Sequence, residues 1–417
     1  MNEQLLQFIW QFQYFNRSDL QTTQGEEVYI ITPGTWNKNQ GPDFTNARIR
    51  IGNTEWAGTV EIHVKASDWQ KHQHAVDCNY KNVILHVVYE NDLQFSSIPV
   101  LELKGRIAIS LLQRYTQLMG SSHFIACENL IDNISDITIT SWKERLLIER
   151  LMRKTAQIQQ YMAANQQHWE ESFWWLLARN FGTKINADAF EAIAQSIPLI
   201  LLAKHKHQLI QLEALLLGQA GLLEADFEDK YAQLLQREYR FLKIKYQLQP
   251  IVYPVYFLRM RPSNFPTVRL AQLAALIQQS AHLFSKIVAA PSWAYVKKWL
   301  EVTPNDFWLY HYTLTDEPYY KPKPLGAEMI NNILINSIVP MLFAYGQAHQ
   351  QEPLKYKAMQ WLEAAKAEKN SITKGFEKIG FINKSAWDSQ SLIELKNQYC
   401  NHKRCVACAI GSALIKP

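Results

Sequence analysis

The feature of this sequence that most constrains its fold is a change in hydrophobic periodicity between residues 115 and 137. Before it, residues 27–32, 46–51, 55–64 and 82–89 form short apolar or alternating runs bounded by turn residues, a pattern typical of β-strands. After it, apolar residues recur at helical spacing almost to the end of the chain. We therefore predict an α+β chain, with a small N-terminal mixed-sheet domain followed by a large, irregular α-helical domain.

The predicted elements divide the chain into four parts. A helix at 5–12, three strands, a helix at 68–80 and strands at 82–89 and 98–103 make up an α/β domain at residues 1–115. Residues 116–136 connect it to a helical domain at 137–390, with helices predicted at 141–154, 169–180, 201–223, 227–244, 268–288 and 326–345. Residues 391–417 form a tail that contains cysteines.

Composition excludes several classes of protein. With 47% hydrophobic and 19% charged residues, the 417-residue chain is too apolar to be disordered. Its longest apolar stretches, at 209–223 and 333–345, fall short of the ~20 residues of a spanning helix, and its first residues lack the basic lead of a secretory signal. We therefore expect a cytoplasmic protein with no membrane partner. The net charge of +5 is compatible with a nucleic-acid partner without requiring one, and oligomeric state is not indicated.

The densest group of polar side chains in the predicted sheet lies between residues 41 and 86. Asp43 follows a Gly-Pro turn at the start of one strand, and Glu61, His63 and Lys65 alternate along the next. Because side chains alternate across a strand, these last three share one face, with neighbours about 6.5 Å apart. Two converging carboxylates hold Mg²⁺ or Mn²⁺ in many hydrolases. The alternative is that the charges pair across a solvated sheet face.

This order of elements and residues resembles the PD-(D/E)XK nuclease superfamily over roughly the first quarter of the chain. Pro42-Asp43 corresponds to the PD of the motif and Glu61 to its second acid. The resemblance implies metal-assisted phosphodiester hydrolysis, with Asp43 and Glu61 as ligands of Mg²⁺ or Mn²⁺. His63 stands where the motif has lysine, so either His63 or the more distant Lys65 orients the attacking water, or catalysis has been lost. A further carboxylate is available from the first helix or the first strand: Glu3 or Glu27.

A second interpretation uses the imidazoles of the same region. His86 lies on the polar face of its strand, where it is able to meet His63. In an extended or loop segment His72 and His74 can face the same way, and with His63 or Asp77 they could bind Zn²⁺. The His63/His72/His74/His86 cluster therefore predicts, as an alternative, a zinc-dependent hydrolase. Histidines that only hydrogen-bond one another are the simpler alternative.

Three of the five cysteines lie within nine residues of the tail. Cys400, Cys405 and Cys408 form a C-x4-C-x2-C pattern, and thiols this close in a reduced compartment commonly share Zn²⁺ or an iron-sulfur cluster. Cys127 is the preferred fourth ligand because it would clip the tail onto the connecting segment, with His402 and Cys78 in reserve. Free structural thiols, or a Cys405/Cys408 redox pair, are the alternative.

A basic stretch in the helical domain suggests nucleic-acid contact. Arg259, Arg261 and Arg269 lie in RMRPSNFPTVR, with Phe265 among them and Phe257 just before, so the cations are placed to follow a phosphate backbone while the aromatics stack on bases. The alternative is that the arginine stems cover apolar surface and pair with local acids.

Several stretches spread over the chain are similar to one uncharacterised bacterial family, the domain of unknown function 2851. They are GPDFTNARIRIG, WAGTVEIHVKASDW, NVILHVVYE, LARNFGTKIN, EALLLGQAGLL, RPSNFPTVRLAQLAAL and KRCVACAIG. This resemblance implies no established reaction. Two main hypotheses therefore stand beside the zinc hydrolase: a metal-dependent nuclease or nuclease-derived nucleic-acid-binding protein, and a non-catalytic scaffold with a metal-stapled helical bundle.

Overall fold

The computed structural model describes residues 1–37, 40–74, 77–93, 97–258, 260–280 and 282–416. The chain forms two compact units. Unit 1 comprises Met1–Glu144 together with Glu394–Pro417, and unit 2 comprises Arg145–Ile393. Unit 1 contains a mixed sheet and unit 2 is helical, so the α+β fold class predicted from the sequence is confirmed.

Unit 1 is built on a sheet in which six strands lie within the described residues. The strands are β1 (Val28–Thr32), β2 (Thr35–Trp36), β3 (Phe44–Ile51), β4 (Thr54–Lys65), β5 (Val83–Glu90) and β6 (Val100–Glu102). Their order is β1-β3-β4-β5-β6, with β2 paired to the end of β3. The β1, β3 and β4 strands are antiparallel neighbours, whereas β5 runs parallel to β4 and β6 parallel to β5.

The central strands are largely buried, so polar residues on them are unusual. Along β3 every second residue from Ala47 to Ile51 is buried, as expected for a strand with one solvated face. The β5 strand is buried from Val83 to Val88, because the sheet is covered on both faces there. Helix α1 (Glu3–Phe12) packs against β4 and buries five residues: Leu5, Leu6, Phe8, Ile9 and Trp10.

The segment between β4 and β5 differs from the helix predicted at 68–80. A single turn, α2 (Asp68–Lys71), is followed by a 3-10 helix at Cys78–Tyr80, and residues 75 and 76 lie outside the described part. The chain leaves the helical conformation at Gln73, whose φ is +59°. Asp77 then caps the 3-10 helix by accepting a hydrogen bond from the Asn79 N–H at 2.9 Å. His72 and His74 consequently lie on a turn.

The rest of unit 1 is helical. It contains α3 (Ile109–Gly120), a 3-10 helix at Glu128–Asn133 and the start of α4 (Asp136–Ala164). The tail adds a π-helical segment at Leu395–Cys400, a 3-10 helix at Cys405–Ala407 and α19 (Ala409–Ile415). The tail residues from Glu394 onward therefore belong to the same compact unit as the sheet.

Unit 2 continues from α4 through fourteen further helices within the described residues. They are α5 (Trp169–Phe181), α6 (Ala187–Ser196), α7 (Leu199–His205), α8 (Leu209–Gln219), α9 (Lys230–Tyr246), α10 (Pro266–Gln279), α11 (Leu283–Ala289), α12 (Trp293–Leu300), α13 (Phe307–Tyr310), α14 (Ala327–Ile333), α15 (Val339–Ala348), α16 (Glu352–Ala364), α17 (Ser371–Lys378) and α18 (Ala386–Glu394). The single helices predicted at 201–223 and 268–288 are each two helices, because polar linkers interrupt the apolar period.

One helix in the described residues, Ala327–Ala348, is long and apolar enough to cross a membrane by length and composition. Of its most apolar window, 72% is buried inside the protein, as in the core helix of a soluble protein. A single helix of this kind is weak evidence for a membrane span.

The packing of α8 on α9 depends on Gly218. A Cβ built on this residue would lie 2.2 Å from the ring of Tyr239, whose hydroxyl donates to the Gln219 side chain at 3.0 Å and holds the ring in place. We therefore expect Gly218→Ala to lower the free energy of unfolding by about 1–3 kcal/mol, measured by chemical denaturation. The control is Gly120→Ala, because no atom lies within 4 Å of the added Cβ there. Equal stability of the Gly218 variant and the natural protein would contradict this account.

The buried Glu213 carboxyl predicts a pH dependence of unfolding. It accepts hydrogen bonds from the Tyr231 hydroxyl at 2.5 Å and the Trp308 indole at 3.0 Å, and burial raises its pKa to about 7. Because the folded pKa exceeds the unfolded value of 4.5, its contribution to stability is complete below pH 4.5 and is lost as the pH rises through 7.

We therefore expect Glu213→Gln, which has no proton to lose, to gain stability relative to the natural protein between pH 5 and pH 8. Thermal unfolding of both proteins across this range measures the difference. If the two proteins differ in melting temperature by the same amount at every pH, Glu213 does not titrate as the structure indicates.

Candidate functional site

Asp43 and Glu61 form a reciprocal pair at the start of β3 and the middle of β4. The β3–β4 register places Phe44 opposite Val60, so the residues just beyond this pair face each other. The Asp43 backbone N–H donates to Glu61 Oε2 at 3.0 Å, and the Ile62 N–H donates to Asp43 Oδ2 at 3.1 Å. The structure therefore brings together the two carboxylates that the sequence proposed as a pair.

The surroundings of the pair oppose ionisation. Burial raises the pKa of Glu61, and the neighbouring charge of Asp43 raises it further. Burial also raises the pKa of Asp43, in the same direction as the charge of Glu3 on α1. Glu61 is 5% exposed, so the ionised form depends on a compensating positive charge. A bound cation supplies such a charge.

His63 is the centre of an imidazole group beside this pair. It lies two residues after Glu61 on β4, and parallel pairing places His86 of β5 opposite Glu61. His63 Nδ1 lies 2.9 Å from His86 Nε2, and His63 Nε2 lies 3.1 Å from His72 Nδ1. His63 and His86 are buried, whereas His72 is exposed on the turn after α2. The expectation that His86 meets His63 agrees with this geometry.

His74 closes the group from the other side of the turn. Its Nε2 lies 3.4 Å from Glu61 Oε1, which is also 3.5 Å from His63 Nε2. The ring of His74 stacks on Tyr80, with centroids 3.8 Å apart, and its side chain is only 10% exposed. In the described part of the chain, His63, His72 and His74 are the group of possible metal ligands whose donor atoms all lie within 4.8 Å of one another.

The imidazoles are held in the form that binds metals. Burial lowers the pKa of His63 to about 3, with His86, His74 and His72 acting in the same direction, and burial lowers that of His86 to about 4. The pKa of His74 is also lowered, again mainly by burial. Neutral imidazole has a free lone pair on one ring nitrogen, which is the donor that transition metals require.

Lys65 is not brought to this group. It is exposed at the end of β4, where its backbone N–H donates to Asp68 Oδ2 at 3.2 Å. Asp77, considered as a zinc ligand, caps the 3-10 helix at Cys78–Tyr80. Of the residues proposed from the sequence for the first domain, the structure gathers Asp43, Glu61 and the histidines.

The neighbours of the site that were missed from the sequence include Gln7 and Tyr80. Gln7 donates from Nε2 to Asp43 Oδ1 at 2.7 Å, and Tyr80 stacks on His74. Gln7 could have been identified from the sequence, because it follows Glu3 by four residues and therefore shares one face of α1 with it. The position of Tyr80 depends on the turn conformation after α2, for which the sequence holds no comparable signal.

The four cysteines singled out in the sequence lie in unit 1 and close to one another. Burial raises the pKa of Cys400, and negative charge on Cys408, Cys127 or Cys405 would raise it further. Cys78 is exposed and lies apart, in the segment before β5.

The arginines proposed to contact nucleic acid are placed differently from one another. Arg261 is exposed before the 3-10 helix at Pro262–Asn264, and Arg259 lies outside the described residues. Arg269 is only 8% exposed and donates to Gln272 at 2.9 Å and to Asn264 at 2.6 Å. Burial lowers the pKa of Arg269 to about 10. Its guanidinium therefore holds α10 to the preceding loop and does not join Arg261 at the surface.

Comparison with known proteins gives one match. Neither a curated protein nor a solved structure matches the chain. A family model described as protein of unknown function (DUF2851) matches residues 3–371, which covers the sheet, the histidine group and almost all of the helical unit. The chain therefore belongs to the DUF2851 family.

Proposed function

We propose that this protein is a metal-dependent hydrolase of phosphodiesters whose metal ligands are His63, His72 and His74. The observation that carries the proposal is the convergence of three imidazoles on one point, with donor atoms within 4.8 Å of one another. Tetrahedral ligands at 2.0–2.1 Å from Zn²⁺ are about 3.3 Å apart. The 3.1 Å between His63 Nε2 and His72 Nδ1 is close to that spacing.

The contact between His63 and His86 suits this role. Histidine ligands usually donate their second ring N–H to a neighbour, which fixes the tautomer and the ring orientation. If His63 Nδ1 donates to His86 Nε2 across 2.9 Å, then His63 Nε2 presents its lone pair toward His72. The exposure of His72 leaves one side of the group open, as a catalytic metal site requires.

Glu61 is placed to move a proton. Its Oε2 is held by the Asp43 N–H, which leaves Oε1 facing His63 and His74 at 3.5 and 3.4 Å. A divalent ion bound by the imidazoles would lower the pKa of a coordinated water and generate the nucleophile. Glu61 Oε1 would be the acceptor for that proton, and the Asp43 backbone N–H orients Glu61 for this role.

The substrate class rests on the arrangement of unit 1. A leading helix, antiparallel strands, a helical segment and a parallel strand follow one another, with Pro42-Asp43 before β3 and Glu61 on β4. This order supports the resemblance to PD-(D/E)XK nucleases and hence a phosphodiester substrate, with His63 in the position of the motif's lysine. The net charge of +5 is compatible with an anionic substrate.

A second candidate places Mg²⁺ or Mn²⁺ at Asp43 and Glu61. The observation in its favour is that Glu3 lies close enough for its charge to raise the pKa of both carboxyls, so three carboxylates surround this point. Hard cations prefer such oxygen ligands. Two contacts count against it, because Asp43 Oδ1 and Oδ2 already accept from Gln7 and Ile62.

The first prediction concerns metal affinity. We expect untagged protein, freed of metal by chelation, to bind one equivalent of Zn²⁺ by calorimetry at the histidine group, and His72→Ala to weaken this by roughly 100-fold or more. His72 is exposed, so its removal leaves the fold intact. The matched control is His123→Ala, another exposed histidine of unit 1, which should bind as the natural protein does. Equal affinity of the His72 and His123 variants would exclude the imidazole site.

The second prediction concerns turnover. With bis(4-nitrophenyl) phosphate and with single-stranded and double-stranded DNA and RNA, we expect Zn²⁺-dependent hydrolysis that Glu61→Gln lowers by about 10²–10⁴-fold in kcat. The control Glu55→Gln changes an exposed acid of the same strand, which pairs with Arg48 at 2.7 Å, and should retain full activity.

The choice of metal separates the candidates. Activity that requires Mg²⁺ or Mn²⁺ and survives His72→Ala would indicate that the metal ligands are Asp43 and Glu61 and not the histidines. Absence of hydrolysis with any of these metals, in protein shown to be folded, would leave a non-catalytic scaffold.

A further inference from the structure

Four of the five cysteines converge in unit 1 from two distant parts of the sequence. Cys127, Cys405 and Cys408 are 8%, 8% and 6% exposed, and Cys400 is half-buried. All four are free thiols. Each of Cys127, Cys400 and Cys405 lies near enough to Cys408 for a thiolate there to oppose its own ionisation. Nearly three hundred residues of chain separate Cys127 from the other three.

Polar contacts from two lysines of the tail hold the two stretches together. The Lys396 ammonium donates to the Phe124 carbonyl and lies 4.4 Å from the centre of the Phe124 ring. Lys403 Nζ donates to the Met119 carbonyl at 2.5 Å. These contacts, on either side of Cys400, fasten the tail to the segment that precedes Cys127 and so bring the two sets of thiols together.

Cys408 lies directly before α19. Burial raises the pKa of Cys408, and the nearby backbone N–H groups of Gly411 and Ile410 act in the opposite direction. Gly411 also approaches Cys405 closely, because a Cβ added there would lie 2.4 Å from the Cys405 carbonyl oxygen. Cys400 ends a π-helical segment, a conformation that is rare and frequently found at functional sites.

Buried cysteines often act only as small apolar side chains, but this group does not fit that role. Burial raises the pKa of Cys127 to about 12 and that of Cys405 to about 11, so as thiols they are inert. Four thiols gathered from two distant stretches of chain are typical of a shared metal, because a metal ion offsets the cost of burying several thiolates together.

We propose that Cys127, Cys400, Cys405 and Cys408 form a tetrathiolate metal centre, separate from the histidine group, that fixes the tail to the sheet-containing unit. The bound group would be either a zinc ion or an iron-sulfur cluster, both of which are held by cysteine thiolates. A single zinc ion needs its sulfurs about 3.8 Å apart, so the thiols would close around it. In the described part of the chain the group of possible ligands within 4.8 Å of one another is the histidine one, so a single zinc ion would draw the thiols closer together than they stand.

The centre would also shape the surface beside the candidate active site. A cavity of about 250 Å³ lies between α1 and the tail, lined by Gln4, Gln7, Phe8, Trp36, Arg404 and Val406 among others. Gln7 is the residue that donates to Asp43, and Arg404 lies within four residues of three of the cysteines. The metal would therefore hold one wall of a cavity whose other wall includes Gln7, the partner of Asp43.

The test is elemental analysis of the untagged, full-length protein purified without oxygen, together with its visible spectrum. We expect either about four iron and four labile sulfide per chain with a brown colour, or roughly one zinc in addition to any metal at the histidine group, without colour. Titration with p-hydroxymercuribenzoate releases thiolate-bound metal and leaves imidazole-bound metal in place. Either metal, released by the mercurial, supports the centre.

Variants separate this centre from the histidine site. Cys405→Ser should lose the mercurial-releasable metal at least tenfold and lower the melting temperature, whereas Cys78→Ser, at the exposed cysteine, should lose none. His72→Ala should retain it. If Cys405→Ser fails to fold, the natural protein still decides, because its four thiols should resist alkylation until the metal is removed. Absence of mercurial-releasable metal, with all thiols of the native protein freely alkylated, would overturn the proposal.

Discussion

The parallel pairing of β4 with β5 is the constraint on which the rest of the site depends. It places Glu61 opposite His86 in the buried middle of the sheet and leaves His63 in contact with His86. Ionisable groups in such a position are costly unless they are neutral, hydrogen-bonded or bound to a cation. The structure shows the first two solutions, since the imidazoles have lowered pKa values and the carboxyls accept backbone hydrogen bonds. A metal would supply the third and allow Glu61 to ionise.

The turn after α2 converts this buried polar layer into a site that solvent reaches. His72 and His74 are two residues apart and would point away from each other on a continuous helix. The left-handed conformation of Gln73 ends the helix between them, so both rings turn toward His63. The exposure of His72 then gives the group an open side. The site is thus assembled from a rigid sheet and one short, specific turn.

Much of this arrangement could be predicted from the sequence, and the reasons are local. Alternation along β4 places Glu61 and His63 on one face, and a hairpin brings the start of β3 beside them, so the Asp43–Glu61 pair follows from periodicity. The meeting of His72 with His74 does not, because the polar segment after β4 has helix-like composition and the αL residue that ends the helix is a glutamine. Lys65 falls outside the site because β4 ends there, and strand ends are poorly determined by pattern alone. Arg269 is a second residue whose placement the pattern did not determine, because a basic stretch does not indicate which of its side chains is buried.

Anomalous X-ray diffraction from crystals of the metal-loaded protein tests the central claim most directly. Data collected on both sides of the zinc absorption edge would locate each zinc ion without reference to activity. The account predicts a peak about 2.0–2.1 Å from nitrogen atoms of His63, His72 and His74, with Glu61 Oε1 beside it. A map with no peak at the imidazoles, or with a peak bound only by Asp43 and Glu61, would contradict it.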